Sequence, residues 1–267
     1  MERIPWPKHG YTKGTWELAL GDARRVRYDI ALIASEEPAA YRFARRAGIP
    51  QRRGFHNGLQ KPLKSFWVRR QLTDAIYRPA HQPRPRHEVE VMYDLGRSLV
   101  TSARPSKDAP LFRELLLEQP VRVTQMPAVQ VTRKWLSPSR DEALVRAWFE
   151  ELAAAGPWAG FCSTEERPLG ERLGERAGLR MLYFESVKEW KTAIAAAPYV
   201  ITPDTGAAHL AGMLCIECTD IFEAAGFSVH AARWSPWCGK HVVRAFPSDR
   251  NGLKTFARGL LEDWRGR

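Results

Sequence analysis

From Pro127 onward, short apolar runs alternate with stretches of helical spacing, and this alternation constrains the fold more than any other feature of the chain. AVQVT (128–132), WAGFC (158–162), residues 180–184, YVIT (199–202) and IECTDIF (216–222) have strand length and nearly continuous apolar character. Between them a helix is expected to begin near Ser137-Pro138, where serine is a good cap and proline a good first residue. Further helices are expected over 164–177, 186–197 and 207–214, with 251–264 closing the chain. Strands buried on both faces and separated by helices of this length imply a parallel sheet covered on both sides, an α/β architecture.

The first half is less regular. YDIALIA (28–34) suits a buried strand, and EEPAAYRFARRAG a helix ended by Gly48 with Pro50 beyond. Residues 51–72 are basic, aromatic and irregular, TDAIYRP is a weak strand candidate, and 87–100 has helical spacing. A connector rich in proline, with one short helix over 111–117, runs from 101 to 127. The division expected is 1–118 for an incomplete N-terminal domain and 119–267 for a ligand-binding domain.

Forty-one Lys and Arg against thirty Asp and Glu give a net charge of +11, which favours anionic partners: nucleic acid, acidic phospholipid or phosphorylated sugars. The basic residues are dispersed and no nucleic-acid module is recognisable, so nucleic acid is the least favoured of the three. Cys215 and Cys218 form a C-x-x-C with no second ligand pair, and are read as small buried hydrophobes rather than a metal site. The start has no apolar signal core, and no segment approaches the ~18 apolar residues of a membrane span. The expected setting is cytoplasmic, with peripheral contact to an anionic inner membrane as a further expectation.

The strongest local signal is Pro203-Asp204-Thr205-Gly206-Ala207-Ala208-His209, which joins a buried strand to a helix rich in small residues. Ligands of open parallel sheets collect at the carboxyl ends of strands, and a helix N-terminus there offers free N–H groups to a phosphate. Gly206 admits close approach, Thr205 adds a hydroxyl, Asp204 caps the helix or accepts from sugar hydroxyls, and His209 reaches a phosphate or is a satisfied interior histidine. Asp-Thr-Gly also surrounds aspartic-protease carboxylates, but that chemistry needs a second carboxylate, and no second Asp-Thr-Gly exists.

PYVITPDTGAAHLAGMLCIECTDIF resembles the donor-binding segment of the ADP-heptose lipopolysaccharide heptosyltransferases, glycosyltransferase family 9. VTRKWLSP is similar to that family's lysine loop, although Leu136-Ser137 intervene before Pro138. YDIALIASEEPAAYRFARRAGIPQRRGF and RHEVEVMYDLGRSL resemble the late part of its acceptor domain, so the likeness runs, with gaps, from about residue 24 to about residue 225. The resemblance implies a GT-B-like fold of two Rossmann-like domains with parallel sheets. It further implies that Thr205 and Gly206 hold a diphosphate, that Asp204 and His209 contact the sugar-phosphate, and that Lys134, near Thr132, is the phosphate-binding lysine. Glu165 or Glu166 would meet the nucleotide ribose. A cation at a strand's end suits a diphosphate independently of the resemblance, although a solvated lysine beside Arg133 is the plain alternative.

The resemblance also has a gap. Family members open with a strand and a Gly-Asp loop whose Asp is the proposed general base; Gly21-Asp22 has no such strand before it, and the base is not carried onto Asp22. Roughly the first third of the acceptor domain has no counterpart, and Asp29, Glu36 and Glu37, near the end of the first strand, are the alternative bases. The function implied is transfer of a sugar, heptose in the family, from a nucleotide-diphosphate donor such as ADP-heptose to a lipopolysaccharide-type or other glycan acceptor, with no metal and no cofactor. The alternative is an inactive remnant that binds a nucleotide-sugar or glycan.

Overall fold

The computed structural model describes residues 13–79, 85–122, 124–137, 140–247 and 250–265. Its contacts divide the chain into two compact units, 1–105 and 106–267, ahead of the 118/119 division expected from the sequence. No helix among the described residues is long and apolar enough to cross a membrane.

The first unit runs α1 (Lys13–Val26), β1 (Ile30–Ile33), α2 (Pro38–Arg46), β2 (Gln51–His56), α3 (Pro62–Arg69), β3 (Asp74–Tyr77) and α4 (Glu88–Gly96). Its strands form a parallel sheet in the order β1-β2-β3. Leu20 and Ala23 of α1 pack with Ile33, Tyr41, Phe43, Ala44, Ile49 and Val68 in one apolar cluster. Residues 51–72, expected to be irregular, thus hold a central strand and a helix. Arg52 hides the strand from a hydrophobicity reading, because its guanidinium satisfies the carbonyls of Gln71 and Ile49 rather than entering water. Arg53 likewise pairs with Asp74 of the neighbouring strand at 2.7 Å.

The second unit runs α5 (Ala109–Leu116), β4 (Ala128–Gln130), α6 (Glu142–Ala154), β5 (Ala159–Ser163), α7 (Arg167–Leu173), β6 (Arg180–Phe184), α8 (Val187–Ala196), β7 (Tyr199–Pro203), α9 (Gly206–Met213), β8 (Glu217–Phe222), α10 (Phe227–Trp234), β9 (His241–Ala245) and α11 (Arg250–Arg265). All of its strand pairs are parallel, in the order β6-β5-β4-β7-β8-β9. The side chains of β4 and β7 alternate between two cores, as period-two geometry requires. Val129 and Ile201 enter one with Trp135, Trp148 and Phe149, while Ala128 and Val200 enter the other with Ala207, Leu210 and Cys218.

Three sequence expectations change here. The helix expected near Ser137-Pro138 begins at Glu142 instead, with the Asp141 carboxylate accepting from the Leu144 N–H at 2.7 Å. Ser137 and Arg140 exchange backbone hydrogen bonds in a tight turn, and Pro138 lies outside the described residues. The helix expected over 164–177 is broken at Gly174 into α7 and short 3-10 turns. Of the C-x-x-C pair, Cys218 is buried but Cys215 is exposed in the turn after α9 at φ 54°. α10 and β9 were not anticipated at all. Arg244 interrupts the apolar pattern of β9, and its charge is met by Asp263 of α11 at 2.7 Å.

The close approach of α9 to the turn between α10 and β9 depends on Gly212. A Cβ there would sit 2.6 Å from the Cys238 carbonyl oxygen and 2.8 Å from Pro236 Cβ. Gly212→Ala should therefore destabilise the protein by about 1–3 kcal/mol through overpacking, read as a lowered denaturant midpoint with unchanged slope.

Candidate functional site

The strand order places β4 beside β7 although three helices and two strands separate them in sequence. The sheet grows outward from β4 through β5 to β6, then returns and grows the other way from β7. Loops leaving the carboxyl ends of β4 and β7 therefore diverge to opposite faces and open a crevice, the topological switch point of a doubly wound sheet.

From the β4 side comes the lysine loop. Val131 still donates to the Phe161 carbonyl at 2.7 Å, and Arg133–Trp135 then form a single 3-10 turn. Trp135 anchors the turn: its ring is buried 4.5 Å from that of Trp148, and its indole N–H donates to the Gln130 carbonyl at 2.6 Å. Arg140 is the second anchor. Its buried guanidinium donates to the Trp135 carbonyl at 2.9 Å, makes a two-pronged pair with Glu223 beyond β8, and lies 4.8 Å from the Phe246 ring centroid. Held in this way, the loop projects exposed Lys134 across the crevice, where Nζ donates to the Asp204 carbonyl and stands 3.6 Å from Asp204 Oδ2.

From the β7 side comes the Asp-Thr-Gly turn. β7 is buried along its whole length, so the turn emerges from a rigid base. Thr205, not Asp204, caps α9: its hydroxyl accepts from the Ala207 N–H at 3.2 Å and is bonded to the Thr202 hydroxyl at 2.8 Å. Asp204 is thereby released from capping and faces Lys134. Gly206 is exposed at the helix N-terminus, and a Cβ there would meet nothing closer than Trp190 at 3.8 Å. Internal packing therefore does not require glycine, and the space above it is open to a ligand.

Two clefts flank this junction. One, of about 250 Å³, is lined by Lys134, Arg140, Asp204, Glu223 and His230 among others. The other, of about 310 Å³, lies over the ends of β4, β5 and β6 and is lined by Gln130, Ser163, Glu165 and Trp190 among others. Trp190 donates its indole N–H to the Gln130 side chain at 2.9 Å, which fixes the ring at the edge of that cleft. The structure separates the two glutamates left equivalent by sequence: Glu165 lines the cleft, whereas Glu166 pairs with Arg133 at 3.2 Å. Thr132 precedes the lysine turn in extended conformation, and its hydroxyl makes no capping bond. His209 stands on the first turn of α9, partly buried, and lines neither cleft. Among the described residues no group of three or more His, Cys, Asp or Glu converges as metal ligands.

Sequence reasoning missed Asp220, on β8 opposite Thr202. It is fully buried, and neither carboxylate oxygen has a hydrogen-bond partner. Burial pushes its pKa up to about 8, the charge of Asp204 adds to the rise, and Lys134 opposes it. A carboxylate in the interior of the run IECTDIF, past Glu217 at its start, was the available signal. Arg140 and Glu223 gave none, because only the fold brings them together.

The candidate bases in the first unit are less favourably placed. Asp22 lies exposed within α1 and pairs with Arg25 at 3.0 Å, and Asp29 precedes β1 rather than following it. Glu36 and Glu37 do follow β1. Burial tends to raise the pKa of Glu36, but the hydrogen bond and charge of Lys64, with Arg78 and Lys61, hold it below the usual carboxylate value.

Neither a protein-family model nor a curated protein matches this sequence. Solved structures do match its fold. The E. coli heptosyltransferase WaaC with ADP superposes with a TM-score of 0.66 at 17% identity, over 95% of this chain and 77% of that one. The E. coli ADP-heptose lipopolysaccharide heptosyltransferase II gives 0.64 at 16%, over 95% and 80%. A glycosyl transferase family 9 structure from Veillonella parvula gives 0.60 at 11%, over 95% and 72%. The likeness is one of fold, and it bears out the α/β, GT-B-like class read from the sequence.

Asp220 gives the crevice a measurable signature. Its folded-state pKa near 8 lies above the unfolded carboxylate value of about 3.9, so between these values the folded protein holds a proton that the unfolded chain has released. The stability that this proton contributes is complete at the acid end of the window. It is lost as the pH climbs towards 8, at up to about 1.4 kcal/mol per unit. Asp220→Asn should flatten the fall in unfolding free energy between about pH 6 and 8, measured by urea denaturation at several pH values. A slope identical to that of the parent protein would refute the assignment.

Proposed function

We propose that the crevice between β4 and β7 binds a nucleoside-diphosphate sugar and that the chain is a glycosyltransferase that uses it as donor. The observation that carries this reading is the meeting of Lys134 with the Asp204-Thr205-Gly206 turn at the switch point, beside a glycine that packing leaves uncovered. In this reading the nucleoside occupies the cleft bounded by Gln130, Glu165 and Trp190, with Glu165 accepting from the ribose. The diphosphate lies on the N-terminus of α9, where free N–H groups and the helix dipole favour an anion. Lys134 exchanges part of its contact with Asp204 for a phosphate oxygen and stabilises the departing diphosphate as the glycosidic bond breaks. Asp204, facing the cleft shared with Glu223 and His230, accepts from sugar hydroxyls, and His209 reaches the sugar-phosphate from the helix.

Two of the structural neighbours are described as ADP-heptose or ADP-bound heptosyltransferases, which supports ADP-heptose as donor and a lipopolysaccharide-type or other glycan as acceptor. A second reading, a donor-binding protein without transfer, is favoured by the state of Glu36, which its basic neighbours keep ionised and weakly basic. Turnover separates the two: sugar transfer, or hydrolysis of ADP-heptose, by the purified chain supports the enzyme, and donor binding without turnover supports the second reading.

Calorimetric titration with ADP and ADP-heptose tests the site itself. Lys134→Ala should weaken both ligands about 10- to 100-fold, the loss of one charge-assisted contact. Asp204→Ala should weaken ADP-heptose selectively and leave ADP unchanged or tighter, since a carboxylate near the phosphates is removed. Gly206→Val should lower affinity for both without lowering the denaturation midpoint, since the position is open and valine is no poorer a helix former than glycine. ADP and ADP-heptose affinities that survive Lys134→Ala unchanged, or an ADP-heptose affinity that survives Asp204→Ala unchanged, would overturn the assignment.

A further inference from the structure

We propose that the face formed by the turn after β2 and the outer side of α3 docks the first unit onto an anionic lipid bilayer. Leu59, in the turn before α3, is 92% exposed, and Leu63 at 86% and Phe66 at 61% lie three residues apart on the outer side of α3. Leu59 and Phe66 share a shallow apolar groove of about 480 Å³ with Pro62, Arg69 and Arg70. The opposite side of α3 is anchored: Val68 is buried in the core, and the buried Ser65 hydroxyl accepts from the Asn57 N–H at 3.1 Å. Gly58, at φ +59°, turns the chain over the Tyr77 ring, so Leu59 is projected by a packed turn rather than by a loose loop. The apolar face is thus preformed, and its exposure is not a by-product of fraying.

The charge around it selects the partner. No Asp or Glu occurs between Gln51 and Thr73, while the segment carries Arg52, Arg53, Lys61, Lys64, Arg69 and Arg70. Arg52 and Arg53 are taken up inside the sheet and Lys64 pairs with Glu36 at 3.3 Å. Lys61, Arg69 and Arg70 are exposed; Lys61 acts electrostatically on Glu36, whereas Arg69 and Arg70 form no ion pair among the described residues, and Arg70 lies 4.4 Å over the Phe66 ring. Aliphatic tips rimmed by cations match the boundary between acyl chains and anionic headgroups. A second copy of this chain is disfavoured, because self-pairing of the face would bring the same three cations together. The inference concerns the first unit and stands independently of the donor site in the second.

Sedimentation of the full chain with phosphatidylcholine vesicles, with and without phosphatidylglycerol, tests it. Binding should require phosphatidylglycerol and weaken as salt is raised. Arg69→Glu with Arg70→Glu should reduce it by more than roughly 25-fold, about five-fold for each cation removed. Leu63→Ser with Phe66→Ser, which changes only exposed side chains, should reduce it at least roughly ten-fold at constant salt. ADP affinity measured in parallel should be unchanged in both variants. Salt-sensitive binding unaffected by Leu63→Ser with Phe66→Ser would mean adsorption through the dispersed positive charge and would overturn the proposal. Failure of the parent chain to bind the vesicles, or a dimer that either variant dissolves, would overturn it equally.

Discussion

The pairing of β4 with β7 is the constraint on which the second unit's chemistry depends. Ala128 and Val129 are in register with Val200 and Ile201, so two segments about seventy residues apart end side by side. Everything polar in the crevice is mounted on these two buried strands. Because their interiors face two separate apolar cores, neither can shift along the other without moving side chains from one core into the wrong one. The ends of the strands are thus fixed in height, and a lysine leaving one can meet a turn leaving the other.

Around that junction, each polar group has a separate mechanical support. Trp135 and Arg140 hold the backbone of the lysine turn, so Lys134 itself needs no buried partner and keeps its charge near the surface. Thr205 takes over the capping of α9, which leaves Asp204 its electrostatic contact with Lys134. Asp220 lies underneath in its neutral form at neutral pH, and the arrangement avoids a second negative charge beneath Asp204. This is an economical way to keep a cationic contact and a helix N-terminus available to an anion, and it accounts for why a buried strand tolerates a carboxylic acid.

The parts of the fold legible in sequence were those whose burial leaves a periodic trace. β5, β6 and β7 are nearly unbroken apolar runs, and Ser186 with Glu189 forms a capping box at the expected start of α8. The parts that were not legible carry charges whose partners are remote. β2 was obscured by Arg52 and Arg53, and β9 by Arg244, each satisfied by a carbonyl or carboxylate elsewhere in the chain. The start of α6 was misplaced because Ser137-Pro138 is a good local beginning, whereas Arg140 is committed to Glu223 and Trp135 in a non-helical turn.

The sequence alone determined the α/β class, the strand-to-helix setting of Asp204-Thr205-Gly206, and a cation at Lys134. These follow from short-range periodicity and from residue chemistry that local neighbours do not override. Tertiary structure alone decided that Lys134 faces Asp204, that Thr205 rather than Asp204 caps α9, that Glu165 rather than Glu166 lines a cleft, and that Asp220 is buried beneath them. Apart from the local cap, these turn on which strand lies beside which. Strand order is set by packing the whole sheet, and no local pattern in the sequence carries it.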